Sequence, residues 1–279
     1  MKQSTIRKLT IRKLLIFSFA VNCIAGAAAI RSIYIRGGLE YLRTRLHGDP
    51  EHGIGPDAAN YIHRQTEFER LPKSLHRVVF LGDSLTQGCE WGEFYPGALN
   101  RGIGGDTSAG LLKRLDTVTE LKPKAVFLMI GSNDLLNIHL RPEQTVANIR
   151  KAVADIRRSS PETTIYLESD LPTWSVQENI YLRTVNRGLR LLADGKTVIY
   201  VDLYPAFLSG EVLNPSFTSD GGHLNGAGYL VWKHLIDPYV QPFDEAQGSS
   251  ALVYPSSTQS LNCRRISCIY SAAIGMATR

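Results

Sequence analysis

The sequence predicts an α/β fold built on a parallel β-sheet with helices on both faces. Four short apolar runs rich in Val, Ile, Phe and Tyr are each followed by Gly, Asn or Asp, at residues 78–81, 126–130, 164–167 and 198–201. These runs are too short for helices, and their composition is typical of strands that are buried on both sides. Longer segments with helical spacing lie between them. Such an alternation of strands and helices is typical of parallel sheets.

The remaining elements follow in chain order. A short helix is predicted at residues 59–70, before the first strand, and residues 99–103 are a weaker fifth strand candidate. The later helices are predicted at residues 107–119, 143–158, 176–194 and 225–239. Sheets of this kind bind ligands outside the carboxyl ends of their strands. Functional residues are therefore expected directly after the strands.

The distribution of charge argues against a nucleic-acid-binding protein. The chain has 279 residues, of which 43% are hydrophobic and 20% charged, and its net charge is +5. Residues 1–45 hold nine of the 31 basic residues but only one of the 26 acidic ones, Glu40. The rest of the chain therefore has 22 basic and 25 acidic residues and a net charge of −3. Binding to phosphates requires clustered Lys and Arg on the folded domain, so we expect no nucleic-acid partner.

Residues 1–35 have the pattern of a signal peptide or a membrane anchor. Five basic residues precede an uncharged apolar stretch at residues 14–30, whose length lies between those of the two kinds of segment. Ala27 and Ala29 favour cleavage, whereas the arginines that follow the stretch disfavour translocation. Both alternatives predict an extracytoplasmic domain, periplasmic or secreted. If the segment is uncleaved, residues 14–30 contact the membrane.

Composition divides the rest of the chain into three parts. Residues 36–75 are predicted to be a linker and lead-in helix, because breaker residues are concentrated at 47–58. Residues 76–242 form the predicted folded domain. Residues 243–279 are rich in Ser, Gln, Ala and Gly and are predicted to be a disordered tail.

Cysteines and histidines do not show a metal-site pattern. The four cysteines are Cys23, Cys89, Cys263 and Cys268. None of them has metal-ligand spacing together with histidines, and their number and spacing do not indicate a disulfide framework. His47 and His52 flank an aspartate, but nothing nearby completes a coordination shell, so they are assigned to a solvated linker. No metal and no cofactor are expected.

A serine follows the first predicted strand, within Gly-Asp-Ser-Leu-Thr-Gln-Gly at residues 82–88. A single serine in such a turn is usually a helix cap. The segment also differs from the Gly-x-Ser-x-Gly elbow of α/β-hydrolases, because Thr86 occupies the position of the second glycine. Ser84 is therefore a candidate nucleophile only if other strand ends supply a base and donors for an oxyanion.

Three later segments supply those groups, at residues 100–107, 131–134 and 220–225. A serine hydroxyl needs a base that titrates near neutrality, and His223 has this property. Asp220 precedes His223 by three residues and can bind the other ring nitrogen, which stabilises the imidazolium. The sequence thus predicts a triad of Ser84, His223 and Asp220.

The tetrahedral intermediate of acyl transfer needs preorganised hydrogen-bond donors, each worth about 3 kcal/mol. Candidate donors are the backbone N–H groups of Ser84 and Gly105 and the side-chain amide of Asn133. Glycine at positions 104 and 105 suits a loop that approaches the substrate closely or adopts positive φ.

Together, these four segments resemble the GDSL, or SGNH, hydrolase family over roughly residues 76–240, and the second segment is most similar to its platelet-activating factor acetylhydrolase-like members. The resemblance implies a three-layer α/β/α sandwich, the flavodoxin-like fold of the family, with about five parallel strands. It also implies the site residues, with Ser84 as nucleophile, Gly105 and Asn133 as oxyanion donors, and Asp220 and His223 completing the triad.

The expected function is that of a serine esterase or acetylesterase that acts through an acyl-serine intermediate. Its substrate is expected to be a small-molecule, glycan or lipid ester. Two alternatives stay open at this point. One is an acyltransferase that acts on a cell-envelope glycan, and the other is a non-catalytic module that binds carbohydrate or lipid.

Several neighbours of the predicted site have simpler roles. Asp106 and Thr107 are predicted to cap the following helix, Asp134 to tie loops together, and Cys89 to pack as a small apolar residue. Four aromatic side chains either line a substrate pocket or pack in the core: Trp91, Phe94, Tyr95 and Trp174.

Overall fold

The computed structural model describes residues 2–35, 39 and 58–244 of the chain. Helix α1 (Lys2–Ile35) forms the N-terminal part. Within the described residues it is the one helix long and apolar enough to cross a membrane, over Arg12–Ser32, and a signal sequence would have the same properties. The choice between signal peptide and anchor therefore stays open.

Several sequence predictions lie outside the described residues. They concern the linker before residue 58 with its two histidines, the tail after residue 244, and the cysteines at 263 and 268.

Five strands form one parallel sheet, as predicted: β1 (Val78–Gly82), β2 (Leu99–Gly102), β3 (Ala125–Met129), β4 (Thr164–Glu168) and β5 (Val198–Val201). Their order across the sheet is β2-β1-β3-β4-β5. The direction of the chain across the sheet reverses between β1 and β3. The connections from these two strands diverge there and leave a crevice at the carboxyl end of the sheet, which is where such folds bind ligands.

The helices surround the sheet in chain order: α2 (Ala58–Arg70), α3 (Ser84–Gln87), α4 (Trp91–Phe94), α5 (Ser108–Lys113), α6 (Asp116–Thr119), α7 (Ser132–Leu136), α8 (Pro142–Ser159), α9 (Val176–Arg190) and α10 (Gly226–Asp244). A short antiparallel pair, β6 (Leu208–Ser209) and β7 (Val212–Leu213), and two 3₁₀ turns, Tyr204–Phe207 and Pro215–Phe217, connect β5 to α10.

Three predicted helices differ from the structure in their extent. The single helix expected at 107–119 is two short helices, because the chain turns at Arg114, whose carbonyl accepts the Thr117 hydroxyl at 2.7 Å. Helix α9 ends at Arg190 instead of 194. Helix α10 continues beyond 239 to Asp244, through two prolines.

Alternating side chains of the strands pack into two separate cores, which explains the three layers. Val79 of β1 belongs to an aliphatic core that includes residues of α8 and α9. Its neighbour Phe80 faces the opposite side and stacks on Trp91, with ring centroids 4.0 Å apart, in a core that also contains Trp232 of α10. Because successive strand residues point to opposite faces, the sheet is covered on both sides. This confirms the predicted α/β/α sandwich.

Helix α2 packs on the loop that follows β2. The hydroxyl of Tyr61 donates to the carbonyl of Gly110 at 2.8 Å, and Tyr61 forms a small core with Phe68 and Ile103. The guanidinium of Arg101 lies 4.8 Å from the centre of the Phe68 ring. The predicted lead-in helix is therefore part of the folded domain.

Candidate active site

Ser84, His223 and Asp220 form a continuous hydrogen-bonded line. Ser84 is the first residue of α3, directly after β1, at the crevice of the sheet. His223 Nε2 lies 3.0 Å from Ser84 Oγ, and His223 Nδ1 lies 2.8 Å from Asp220 Oδ2. If Nδ1 donates its proton to Asp220, Nε2 is left to accept the Ser84 hydroxyl. The structure thus brings together three predicted residues that are up to 139 positions apart.

The loop that carries the histidine is organised by Asp220. Oδ1 of this carboxylate accepts the backbone N–H groups of Gly222 at 3.0 Å and His223 at 2.8 Å. These bonds, together with the one to the His223 ring, hold the pKa of Asp220 well below its usual range. The carboxylate therefore stays ionised and fixes the orientation of the imidazole.

Trp174 supports the same loop from outside. Its backbone N–H donates to the carbonyl of Gly221 at 2.9 Å. Gly221 has a φ of +83°, and a Cβ at this position would lie 2.4 Å from the Trp174 ring. Glycine is therefore required there for both conformation and space. The Trp174 side chain is 70% exposed, which rules out the core-packing alternative for this residue.

The glycine pair after β2 lies beside the serine. Gly105 has a φ of +77°, and a Cβ on Gly104 would be 3.7 Å from Cβ of Ser84. The expected positive φ is found at Gly105. Among the backbone hydrogen bonds of the loops and turns that the structure describes, none is donated by the N–H of Ser84 or of Gly105.

Asn133 lies on α7, at the end of β3. Its Nδ2 donates to the carbonyl of Asp106 at 2.9 Å and lies 3.5 Å from Oδ2 of Asp83. Its Oδ1 accepts from the side chain of Asn137. The amide is thus held beside Asp83, the residue that immediately precedes Ser84.

Asp83 is a buried carboxylate beneath the serine. It accepts the backbone N–H of Leu85 at 3.0 Å and the hydroxyl of Ser132 at 2.9 Å. Burial raises its pKa. Through these bonds Asp83 joins the turn after β1 to the turn after β3.

Asp106 has a different role from the predicted helix cap. Thr107 does cap α5 by accepting the N–H of Gly110 at 3.1 Å, as predicted. Asp106 instead binds Arg114 in a fully buried ion pair with a closest contact of 2.7 Å. Burial raises the pKa of Asp106 to about 6, although Arg114 opposes this shift. The prediction for Asp106 was wrong because a buried arginine eight residues later needs a counter-charge.

Arg114 connects the ends of two strands to the glycine loop. Its guanidinium donates to the carbonyl of Arg101 at 2.9 Å and to that of Gly82 at 3.0 Å. Gly82 lies two residues before Ser84, and Asp106 directly follows Gly105. A single buried side chain therefore fixes the distance between the serine turn and the glycine loop.

Gln87 of α3 and Asn60 of α2 also hold the glycine loop, and Asn60 lies outside the region that resembles known hydrolases. Gln87 Oε1 accepts the backbone N–H of Gly104 at 2.5 Å. Asn60 of α2 donates to the carbonyl of Gly104 at 3.0 Å and lies 3.4 Å from Gln87 Oε1. Neither contact was predicted from the sequence, because polar side chains on helices have no spacing that indicates such contacts.

Two further buried aspartates lie near the site, Asp134 on α7 and Asp170 after β4. Asp134 accepts the backbone N–H of Ser108 at 2.8 Å and also its hydroxyl, which confirms its predicted role in tying loops. Asp170 Oδ2 has no partner among the described residues, and burial and the neighbouring Asp83 and Asp134 raise its pKa well above the usual value. Sequence analysis missed Asp170.

The other predicted neighbours of the site pack in or against the hydrophobic core. Trp91 and Tyr95 are buried in the aromatic core and Phe94 packs against it, so core packing describes these three. Cys89 is buried, and burial raises the pKa of its thiol to about 12, as expected for a small apolar residue. Within the described ranges, no cluster of three or more His, Cys, Asp or Glu side chains is suited to a metal ion.

Comparisons with known proteins identify the family of the chain. The model of the GDSL-like lipase/acylhydrolase family matches residues 80–231. The alpha1 subunit of bovine platelet-activating factor acetylhydrolase IB is 30% identical over 196 residues, which cover 64% of this chain and 82% of the relative. The human alpha1 subunit is 31% identical over 189 residues, covering 62% and 80%.

A solved GDSL-like lipase from Bacteroides thetaiotaomicron is 28% identical, with a TM-score of 0.56, and the match covers 67% of this chain and 98% of that one. The family match extends over more than half of the chain and includes nearly all of the sheet and both residues of the Ser84–His223 contact. The chain therefore belongs to the GDSL-like lipase/acylhydrolase family and is a carboxylic ester hydrolase.

Proposed function

We propose that this hydrolase is a serine esterase that cleaves short-chain, acetyl-type esters through an acyl-serine intermediate on Ser84. The observation that carries the proposal is the line from Asp220 through His223 to Ser84, with contacts of 2.8 and 3.0 Å. The preference for an acetyl group is supported by the acetylhydrolase names of the bovine and human relatives.

In the first half of the reaction, His223 Nε2 takes the proton of Ser84 as Oγ attacks the ester carbonyl carbon. The negative charge moves to the carbonyl oxygen. When the intermediate collapses, the bond to the alcohol oxygen breaks, and His223 donates its proton to that oxygen. In the second half, His223 activates a water molecule, which releases the acid and restores Ser84.

The oxyanion is proposed to bind the backbone N–H groups of Ser84 and Gly105 and the side-chain amide of Asn133. Asn133 Nδ2 carries two protons, one of which is engaged by the carbonyl of Asp106. The other faces Asp83 at 3.5 Å, which is a weak contact. An oxyanion can compete for that proton at little cost, whereas Asn133→Ala should lower kcat by about 100-fold or more.

The test is Ser84→Ala assayed with p-nitrophenyl acetate, with Ser209→Ala as a matched control because Ser209 is an exposed serine on β6. We expect Ser84→Ala to abolish turnover and Ser209→Ala to leave it unchanged. Turnover retained by Ser84→Ala would refute the proposal.

Adding a sugar acceptor to the assay separates a hydrolase from a glycan acyltransferase, because only a transferase moves the acetyl group to the sugar in preference to water. Wild-type protein that binds sugar or lipid without turnover would indicate a non-catalytic module.

We also propose that the catalytic domain acts outside the cytoplasm. Support comes from α1, whose apolar stretch Arg12–Ser32 follows a basic N-terminus. Mass spectrometry of the mature N-terminus tests whether α1 is removed. Protease accessibility of the domain in intact cells tests its location, and complete protection there would refute an extracytoplasmic site.

A further inference from the structure

A group of exposed apolar side chains lies at the start of α9. Trp174 is 70% exposed, and Val176, Ile180 and Tyr181 are each more than 40% exposed. Val176 and Ile180 are four residues apart and share one face of the helix. We call these four side chains the Trp174 patch. Large apolar groups clustered on a surface indicate a binding site more often than single exposed ones.

The patch borders the candidate active site. Trp174 binds the carbonyl of Gly221 through its backbone and packs against that glycine. Gly221 is two residues before His223, so their Cα atoms are at most about 7.6 Å apart. Farther from this loop the exposed face of α9 carries Thr184 and Arg187, and the next exposed apolar residue is Leu191, directly after the helix. The Trp174 patch is thus the group of exposed apolar side chains on α9 that lies next to the site.

The apolar helix α1 brings a lipid bilayer within reach of the patch. Helix α1 ends at Ile35 and α2 begins at Ala58, which leaves 22 residues between them. In any conformation, 22 residues span no more than about 75 Å. A folded domain of this size is about 40 Å across. With α1 in a bilayer, the domain therefore stays within reach of that bilayer, and each face of it is able to meet the lipid.

We propose that the Trp174 patch docks on the surface of a phospholipid bilayer and presents the Ser84–His223 site to lipid esters. Trp and Tyr are enriched where proteins cross the interface between lipid and water, because their rings are apolar and carry a polar atom. The chain beyond residue 45 has a net charge of −3, which favours a zwitterionic surface over an anionic one. The lipid-substrate part rests on the proposed esterase function, whereas the docking itself does not.

Tryptophan fluorescence tests the docking independently of catalysis. The chain has three tryptophans, and Trp91 and Trp232 are fully buried in the aromatic core. The full chain carrying Ser84→Ala is reconstituted into phosphatidylcholine vesicles, with or without brominated acyl chains. We expect brominated lipid to quench part of the fluorescence and Trp174→Phe in the same background to remove that part. Quenching that is absent, or unchanged by Trp174→Phe, would overturn the proposal.

A comparison of activities tests whether docking of the patch gives the Ser84–His223 site access to lipid esters. Ile180→Ser in the otherwise native full chain is compared with Leu191→Ser, which changes an exposed leucine directly after the C-terminal end of α9, about 16 Å from Ile180. We expect Ile180→Ser to slow hydrolysis of a short-chain ester lipid in vesicles by about fivefold, through lost apolar burial. It should leave p-nitrophenyl acetate turnover in solution unchanged, and Leu191→Ser should alter neither.

The outcomes of the two tests are separable. Equal loss on both substrates would assign Ile180 to a pocket for soluble esters and overturn docking. A wild-type enzyme without turnover of either ester would refute the proposed esterase, while the fluorescence result would still decide the docking.

Discussion

Two carboxylates flank the serine, and their surroundings are opposite. Asp83 precedes Ser84 in the chain, is 1% exposed, and has a pKa raised by burial. Asp220 reaches Ser84 through His223, has a side chain that is 54% exposed, and has a pKa held below its usual range by backbone N–H groups. The first belongs to a buried floor that also contains Asp106, Asp134 and Asp170. The second belongs to a surface loop.

This difference distinguishes the residues that position the site from those that take part in the reaction. The buried floor joins strand ends through many contacts, so its loss should appear first as lost stability. The surface loop is organised by a few local bonds to Asp220, so its loss should appear as lost activity in a protein that still folds. Four substitutions test this distinction.

Asp220→Asn should have the largest effect. The amide no longer stabilises the imidazolium and favours the wrong tautomer of His223, so we expect kcat for p-nitrophenyl acetate to fall by about 10⁴-fold. The melting temperature should stay close to that of the native protein, because Asp220 is exposed. Asp202→Asn, at another exposed aspartate, is the control. A fall in kcat below tenfold would contradict the proposed triad.

Arg114→Met should act on stability. It leaves Asp106 as an unpaired buried charge and removes the bonds to the carbonyls of Gly82 and Arg101. We expect the free energy of unfolding, measured with urea, to fall by about 3–5 kcal/mol. Arg157→Met breaks an exposed pair with Asp194 and should cost less than about 1 kcal/mol. Equal losses in the two variants would show that the buried floor has no special role.

Glu168→Gln tests the buried carboxylates through pH. Burial raises the pKa of Glu168 to about 8, while its ordinary value is 4.5, and the Trp232 ring N–H donates to it. Between these values the folded state binds more protons than the unfolded state, so this glutamate lowers stability as pH rises, by up to about 1.4 kcal/mol per unit. Above pH 8 the loss is complete, and below about pH 4.5 it vanishes.

Glutamine is neutral and keeps an acceptor for Trp232. The stability of Glu168→Gln relative to the native protein should therefore increase from pH 5 to pH 8 in urea titrations. A difference that is independent of pH would contradict a neutral Glu168 in the folded protein.

Asn60→Ala should have the smallest effect. It removes the bond to the carbonyl of Gly104 and loosens the loop that presents the Gly105 N–H. We expect kcat to fall by about tenfold or less, with KM nearly unchanged, as for an interaction that matters in the transition state. Gln65→Ala, on the exposed side of α2, is the control. A rise in KM without a change in kcat would assign Asn60 to substrate binding instead.

Much of this architecture was predictable from local patterns. The strands after which Ser84 and Asn133 lie were identified by short apolar runs, and the predicted ranges differ from the observed ones by one or two residues. Helix ends were less predictable, as at Arg114, because a buried ion pair there outweighs local helical preference. Trp174 was ambiguous, since an aromatic residue after a strand has the same sequence signature in a core and on a surface.

The sequence by itself determined the strand and helix alternation, the order of the four segments, and the residue types suited to acyl transfer. These depend on periodicity and side-chain chemistry, which are local properties. Only the tertiary structure decided that Asp106 pairs with Arg114, that Asn60 reaches the glycine loop, and that Asp170 is buried with no partner for Oδ2 among the described residues. Such contacts depend on the packing of segments distant in the chain, because burial and pairing of a polar group are set by whichever side chains the fold places around it.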